Sequence, residues 1–360
     1  MNRDVFKRLA KYLLFSSFLS GVIFPQLVTA QLGGLHTFEF VDLPQSARVA
    51  SLGGLPIAMI DADVNLGSSN PALINDSMSH HISVNHNFHL ADISYGNMGL
   101  AIDIPRYKTT LLAGINYVSY GDFVRADEFG NRIGEFSGRE LAISLGFGRN
   151  ISENIRFGVQ SRFLNSRLES FDSYGMAFDI GVLLQNPQNR ENFALVVRNV
   201  GFQINAYNSN REKLPIDLQF GYSKRLKHLP FRFMISAHNL FKWDIRSESL
   251  FNTDPVFIDQ VPQEPSPVSV WFDNLFRHLV FGGELSLGQK EVFRIRAGYN
   301  HNMKKELAVS GFRSFSGLSY GFGFRIKKIQ FDYGVGTYHL AGGVNHLSIT
   351  INLNELASRI

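Results

Sequence analysis

The chain has 360 residues, no cysteine, 32 glycines and 32 phenylalanines, and a formal net charge of +4. The absence of cysteine excludes disulfide staples, thiolate metal sites and cysteine nucleophiles. The first thirty residues carry four of the 35 basic and one of the 31 acidic side chains. The remainder balances at 31 against 30, a net +1 that gives no footing for nucleic-acid binding.

Residues 1–30 read as a signal peptide. Arg3, Lys7, Arg8 and Lys11 form a basic start, an apolar run follows from Tyr12 to about Leu27, and Val28-Thr29-Ala30 supplies small residues for cleavage before Gln31. Ser16, Ser17, Ser20, Gly21 and Pro25 break the run, which argues against a helical anchor. Export without cysteine fits a bacterial envelope protein. No later apolar run approaches the ~20 residues of a spanning helix.

Residues 31–78 are expected to form a plug, or hatch, rather than strands. The stretch Ser46–Leu73 is rich in small residues; Gly53-Gly54 and Pro56 interrupt any helix and Asn70-Pro71 marks a turn. Arg48, Asp61 and Asp63 are its candidate anchors to a charged lumen. Asp61, Asp63 and Asn65 imitate the opening of a calcium loop, but Leu66 stands where glycine is needed and Ala72 where the bidentate glutamate belongs, so no metal is expected.

Residues 79–353 alternate with period two, which puts one set of side chains on each face of a sheet. Leu141, Ile143, Leu145 and Phe147 oppose Ala142, Ser144 and Gly146. Phe293, Ile295, Ala297 and Tyr299 oppose Arg294, Arg296 and Gly298. Leu318, Tyr320, Phe322, Phe324 and Ile326 oppose Ser319, Gly321, Gly323 and Arg325. An apolar face ending in aromatics, against a face of small and polar residues, predicts an all-β fold: a transmembrane antiparallel β-barrel of the outer-membrane type. About fourteen segments fit, starting near Ser79, Ile93, Thr109, Glu140, Ile155, Ser173, Phe193, Ile216, Phe231, His278, Phe293, Leu318, Ile329 and His346.

Connections alternate in length. Pro105–Lys108, Ile151–Asn154, Arg225–Pro230, Gly288–Val292 and Lys327-Lys328 are short; Gly121–Arg139, Gly201–Pro215, Leu240–Arg277 and His301–Gly317 are long. Short turns face the periplasm and long loops face outside. This places both termini in the periplasm, with residues 31–78 feeding into the barrel from that side and 354–360 as a short periplasmic tail. The longest loop holds the Pro-rich run Val261–Val268 and both tryptophans, Trp243 and Trp271, with Phe272 beside the second. Loops of that length are usually functional or disordered; these aromatics either anchor the rim in the interface or meet a partner.

Arg156, Arg162, Arg294, Arg296 and Arg325 fall in inward register, with Glu140, Asp179, Asp217, Glu284 and Asp332 as available partners. His80, His81, His86 and His89 divide between the two faces of an extended strand, which argues against a shared metal. No G-x-S-x-G elbow, H-E-x-x-H or phosphate-cradling loop occurs. No catalytic residue and no cofactor is expected.

The pattern SAR-x(3)-LGG from Ser46, followed by D-x-D-x-N from Asp61 and NPAL from Asn70, resembles the N-terminal signature of the PorV/PorQ group. That group belongs to type IX secretion and is related to FadL-type fatty-acid channels. The run Phe38–Pro44 is similar to the PorQ branch. The resemblance covers the mature chain, although the sequence ends NELASRI without the terminal aromatic common among barrels. It implies a fourteen-stranded barrel in the outer membrane of a Gram-negative, Bacteroidota-type bacterium. Such a barrel serves a surface-attachment complex in which cargo is processed and joined to lipopolysaccharide. The implied partners are a PorZ-like surface protein to be held, a PorU-like protein supplying the chemistry, and a PorV-like neighbour. The alternative from the same ancestry is a FadL-like transporter of hydrophobic small molecules, with an apolar pocket beneath the outer loops and a movable plug.

Overall fold

The computed structural model describes residues 37–89, 92–208, 211–246, 266–288, 291–307, 315–339 and 342–353. The expected signal peptide, the residues 31–36, most of the Pro-rich run and the tail 354–360 lie outside the described residues. Fourteen antiparallel strands form one closed meander in which each pairs with its sequence neighbours and the last closes on the first. They are β1 His81–Phe88, β2 Ser94–Ile104, β3 Thr109–Ala126, β4 Arg132–Ser152, β5 Ile155–Leu168, β6 Phe171–Asn186 and β7 Glu191–Asn205, then β8 Asp217–Arg225, β9 Phe231–Ala237, β10 Leu279–Leu287, β11 Phe293–Asn300, β12 Leu318–Ile326, β13 Ile329–His339 and β14 Gly342–Asn352. Among the described residues three α-helices accompany them: α1 Ala47–Ser51, α2 Pro267–Arg277 and α3 His301–Glu306.

Alternation decides what each strand shows to either side. On β4, Leu141, Ile143, Leu145 and Phe147 are exposed while Glu140, Ala142, Ser144 and Gly146 are buried, and the same rhythm runs through β5, β6, β11 and β12. A wall with aliphatic and aromatic side chains outward and polar or small ones inward is a transmembrane barrel, since only lipid accepts that outer surface. The outward apolar residues of β4 are framed by Arg139 and Arg149. Ten residues of strand cover about 33 Å, or about 25 Å of membrane at a tilt of about 40°.

Two departures from the simple pattern shape the wall. The segment 121–139, expected as an outer loop, is mostly strand: β3 and β4 remain paired to Ala126 and Arg132, so this hairpin stands beyond the lipid band, where outward residues need not be apolar. On β7 a bulge at Asn199, whose φ is 57° and whose backbone N–H donates to Asp179 Oδ1 at 2.8 Å, switches the inward set from even to odd residues. Arg198 and Asn199 therefore both reach the lumen.

Residues 37–78 carry no strand and lie within the barrel. Thr37 is at the long-loop end, its backbone N–H donating to Glu212 in the β7–β8 connection at 2.7 Å. Asp103 N–H donates to Ser79 Oγ at 2.9 Å at the short-turn end. The described part thus descends from the long-loop end, which corrects the expected approach from below. The reason is apolar. Phe38, Phe40 and Val41 find Tyr95, Val118, Ala142, Leu164, Ala177, Leu214 and Val344, a set confined to the long-loop half of the lumen. Leu52, Ile57, Met59, Leu66, Leu73, Ile74 and Met78 form a second core lower down against Leu112, Leu183, Val196, Met234 and Val280.

Inward glycines let this segment's backbone touch the wall. Gly158 on β5, Gly181 on β6, Gly221 on β8, Gly282 on β10, Gly298 on β11 and Gly334 on β13 all abut residues between Ala47 and Ala72. A Cβ on Gly158 would lie 2.1 Å from the Pro71 carbonyl oxygen, and one on Gly334 would lie 2.4 Å from that of Ala47. Neither site has room for a side chain.

Candidate functional site

Caps fix the lumenal segment before the wall does. Ser46 caps α1 by accepting from Val49 N–H, and Gly53 and Gly54, at φ 85° and 95°, end it with Gly54 N–H donating to Val49 O at 3.0 Å. That left-handed turn is open to glycine at little cost. Asp63 accepts from Asn65 N–H at 3.0 Å, and Asn70 accepts from Ala72 N–H at 2.9 Å, each opening a 3-10 turn. Pro71 takes the first position of the second turn, where its missing N–H costs nothing. Asn70 Nδ2 also donates to Ile57 O at 2.7 Å, tying the two halves of the segment.

Arg48 is the hub. It is 1% exposed. Its guanidinium meets both Asp61 oxygens at 2.9 and 2.7 Å, Asp63 Oδ2 at 3.1 Å, and both Glu284 oxygens at 3.0 and 2.9 Å. Glu284 Oε2 also accepts from Arg296 Nε at 2.8 Å, and Arg296 Nη1 donates to Asp332 Oδ1 at 2.6 Å. Arg232 reaches Asp61 at 3.2 Å. Three guanidiniums and four carboxylates thus connect the segment to β9, β10, β11 and β13. The aspartates face Arg48, and among the described residues no group of three His, Asp or Glu is placed to hold a metal.

The other lumenal arginines divide by role. Arg156 donates to the carbonyls of Ala72, at 3.1 Å, and Ile74, so it holds the segment through its backbone. Arg162 pairs with Asp179 and donates to Asn199 Oδ1 at 2.9 Å, a contact within the wall. Arg294 lies 3.4 Å from Glu291. Arg325 stands apart from the network, exposed at the short-turn mouth, where it donates to Gln330 Oε1 at 3.1 Å. Two acids take neutral partners instead of arginine. Glu140 accepts from Tyr120 and Ser166 hydroxyls at 2.6 and 2.5 Å, and Asp217 from Gln219 Nε2 and Asn239 N–H at 2.7 and 2.5 Å.

Sequence reasoning missed several anchors. Arg198 Nη2 donates to Val41 O at 3.2 Å and Asn199 Nδ2 to Asp42 Oδ1 at 3.1 Å, holding the upper part of the segment. Ser223 Oγ donates to Ala58 O at 2.7 Å, Ser236 Oγ to Leu55 O at 2.6 Å, and Ser348 Oγ accepts from Ala47 N–H at 2.9 Å. Inward parity could have flagged Arg198 and Arg232. The serines had no signal beyond that parity.

The long-loop end carries a second arrangement. Trp243 and Trp271 come together with ring centroids 5.8 Å apart, and Phe272 meets Trp271 edge-on at 5.1 Å. Trp243 also stacks on His278 at 5.5 Å, whose Nε2 lies 2.9 Å from the Trp243 carbonyl. α2 is turned against the usual sense. Val268, Trp271, Phe272 and Phe276 are exposed at i, i+3, i+4 and i+8, whereas Asn274 and Arg277 are buried and Asp273 is half-buried. Asp273 accepts from Arg277 Nε at 2.8 Å and from Lys305 Nζ on α3 at 3.1 Å, so the polar side faces the protein. Burial pushes the Asp273 carboxyl up, and hydrogen bonds from Arg277 and Lys305 outweigh it and hold it below the usual range.

No protein-family model and no curated protein matches the chain. Among solved structures it is similar to the Pseudomonas putida toluene transporter TodX, at 12% identity and a TM-score of 0.46, covering 86% of this chain and 97% of that one. It is similar to a Pseudomonas aeruginosa FadL homologue at 9% identity and a TM-score of 0.47, covering 86% and 98%. The CymD monoaromatic hydrocarbon channel gives 12% identity and a TM-score of 0.47 over 86% and 96%. Scores of this size describe a shared barrel outline and carry no assignment of cargo.

Proposed function

We propose that the protein is a plugged, non-enzymatic outer-membrane barrel that holds a surface protein at its long-loop end, as part of a type IX-like attachment complex. The observation that carries the holding role is α2. A helix that buries its Asn274 and Arg277 and exposes Val268, Trp271, Phe272 and Phe276 has its apolar stripe available to another molecule. Residues 37–78 act as the plug, since backbone-to-glycine contacts and the Arg48 network join them to most of the wall. The identity of the complex rests on the motif resemblance alone: a PorZ-like protein would be the one held, with PorU- and PorV-like neighbours and lipopolysaccharide as acceptor, in a Bacteroidota-type outer membrane. Deleting the gene and fractionating the culture tests it. A surface partner released to the medium is expected, and one that stays fully cell-associated contradicts the reading.

A second reading has its own observation. The apolar half-lumen lined by Tyr95, Val118, Leu164 and Leu214 is filled by Phe38, Phe40 and Val41, as a chamber for a hydrophobic small molecule would be if that segment moved aside. The structures similar in outline are named for hydrocarbon transport, which is this reading rather than the first, though at TM-scores below 0.5 they lend it no weight. Fluorescent fatty-acid uptake that falls when the protein is removed from vesicles would favour transport. Unchanged uptake favours holding.

A further inference from the structure

The outward face of β3–β6 at the long-loop end holds a groove of about 730 Å³ that neither reading uses. Its floor is set by register. Ser119, Arg139, Arg167 and Asp172 stand side by side in one row across the four strands, and Tyr117, Leu141, Asn165 and Tyr174 form the row nearer the membrane centre. The next outward row is Ile115, Ile143, Phe163 and Met176, where the apolar band begins.

Arg139 and Arg167 are therefore direct cross-strand neighbours on the same face. Like charges so placed repel, and no acid stands between them. Asp172 lies 3.9 Å from Arg167, beyond hydrogen-bond distance, on the side away from Arg139. Asp122 also lines the groove. Among the described residues no carboxylate comes within ion-pair distance of Arg139. Both arginines are exposed. Their level is fixed by Arg149 at the other border of the band, so they sit at head-group depth in the leaflet on the long-loop side. Tyrosines at that depth are usual interfacial residues, and two adjacent guanidiniums offer paired donors matched to phosphate oxygens.

We propose that this groove binds a phosphorylated glycolipid of the outer leaflet. Arg139 and Arg167 hold its phosphate, Tyr117 and Tyr174 flank the sugar, and the acyl chains run down over Ile143 and Phe163. The bound anion relieves the repulsion that the empty row would carry. A free phosphate shares the head-group chemistry but has nothing to place on the apolar row, and this separates the two sources. The site does not depend on which protein, or whether any protein, is held above it.

The test uses the mature protein in neutral detergent, titrated with bis-phosphorylated lipid A, with the same lipid dephosphorylated, and with inorganic phosphate, reading bound lipid by native mass spectrometry. Wild type should retain the phosphorylated lipid at least tenfold more than the dephosphorylated one, and millimolar inorganic phosphate should not displace it. Arg139→Gln with Arg167→Gln should abolish that preference, while Arg149→Gln should keep it. Gel mobility with and without heating reports whether each variant is folded. If the double variant does not fold, each single variant should lose at least threefold. A preference that survives in the folded variants overturns the proposal, as does full competition by inorganic phosphate, which would mark a free-anion site.

Discussion

Arg48 and Glu284 meet across 236 residues of chain, with Arg48 Nε 3.0 Å from Glu284 Oε2 and Nη2 2.9 Å from Oε1. The pair joins the first helix of the lumenal segment to the middle of β10, and both side chains are almost fully buried. A buried ion pair is not by itself a large stabiliser, because both ions lose water. Removing one member is different. Arg48→Met would leave Asp63 and part of Glu284 uncompensated. The expected cost is about 3–5 kcal/mol, read as a lower midpoint for loss of the heat-modifiable folded band. Glu284→Gln should cost less, since Arg48 keeps Asp61 and Asp63.

Gly158→Val tests the wall contact. Its Cβ would lie 2.1 Å from the Pro71 carbonyl oxygen, so either β5 or the turn at Pro71–Leu73 must move. The variant should raise the swelling rate of liposomes for small sugars, with the barrel still folded. Equal rates in wild type and variant would mean that the turn can shift without opening a path.

Arg48→Ala combined with Asp61→Ala should raise the same swelling rate, because the segment then loses its bonds to Glu284 and Arg232. Arg325→Ala, altering an exposed arginine at the short-turn mouth, should leave it unchanged. A rise with Arg325→Ala alone would place the barrier at the mouth instead of around Arg48.

The link between α2 and α3 should be acid-sensitive. Asp273 is held below its ordinary value of 3.8 in the folded protein. A depressed carboxylate contributes fully above the unfolded value and loses its contribution as pH falls through the folded one. Tryptophan fluorescence from Trp243 and Trp271 should therefore show a transition as pH falls below 3.8. Asp273→Asn should already show the acid-form signal at neutral pH. A transition centred near pH 6 would point to another group.

The wall was legible because lipid leaves little choice. Ile155, Phe231, Phe293, Leu318 and Ile329 begin strands where alternation placed them. Where lipid stops, the signal stops: β4 starts at Arg132, not near Glu140, because the outer part of that hairpin has no need of outward apolar residues. The bulge at Asn199 was invisible for a related reason, since one inserted residue reverses parity without changing composition. The lumenal segment was legible as non-strand but not in direction, which depends on where Phe38 and Phe40 find apolar wall. The motif residues Arg48, Asp61 and Asp63 could be picked out by charge, yet Glu284, the wall carboxylate that Arg48 also binds, is distant in sequence. α2 had a different difficulty. Leu240–Arg277 reads as an outer loop, its aromatics free to anchor the rim or meet a partner. Only the burial of Asn274 and Arg277 with the ion pairs of Asp273 shows a helix with its polar side turned inward.

The holding role is tested most directly at the aromatic surface of the long-loop end. Trp243, Trp271 and Phe272 would be changed together to alanine, and the variant purified from native outer membranes beside wild type. Wild type should retain a surface protein in stoichiometric amount, and the variant should lose it while keeping its heat-modifiable folded band. A variant that retains the same partner at the same level would contradict the account.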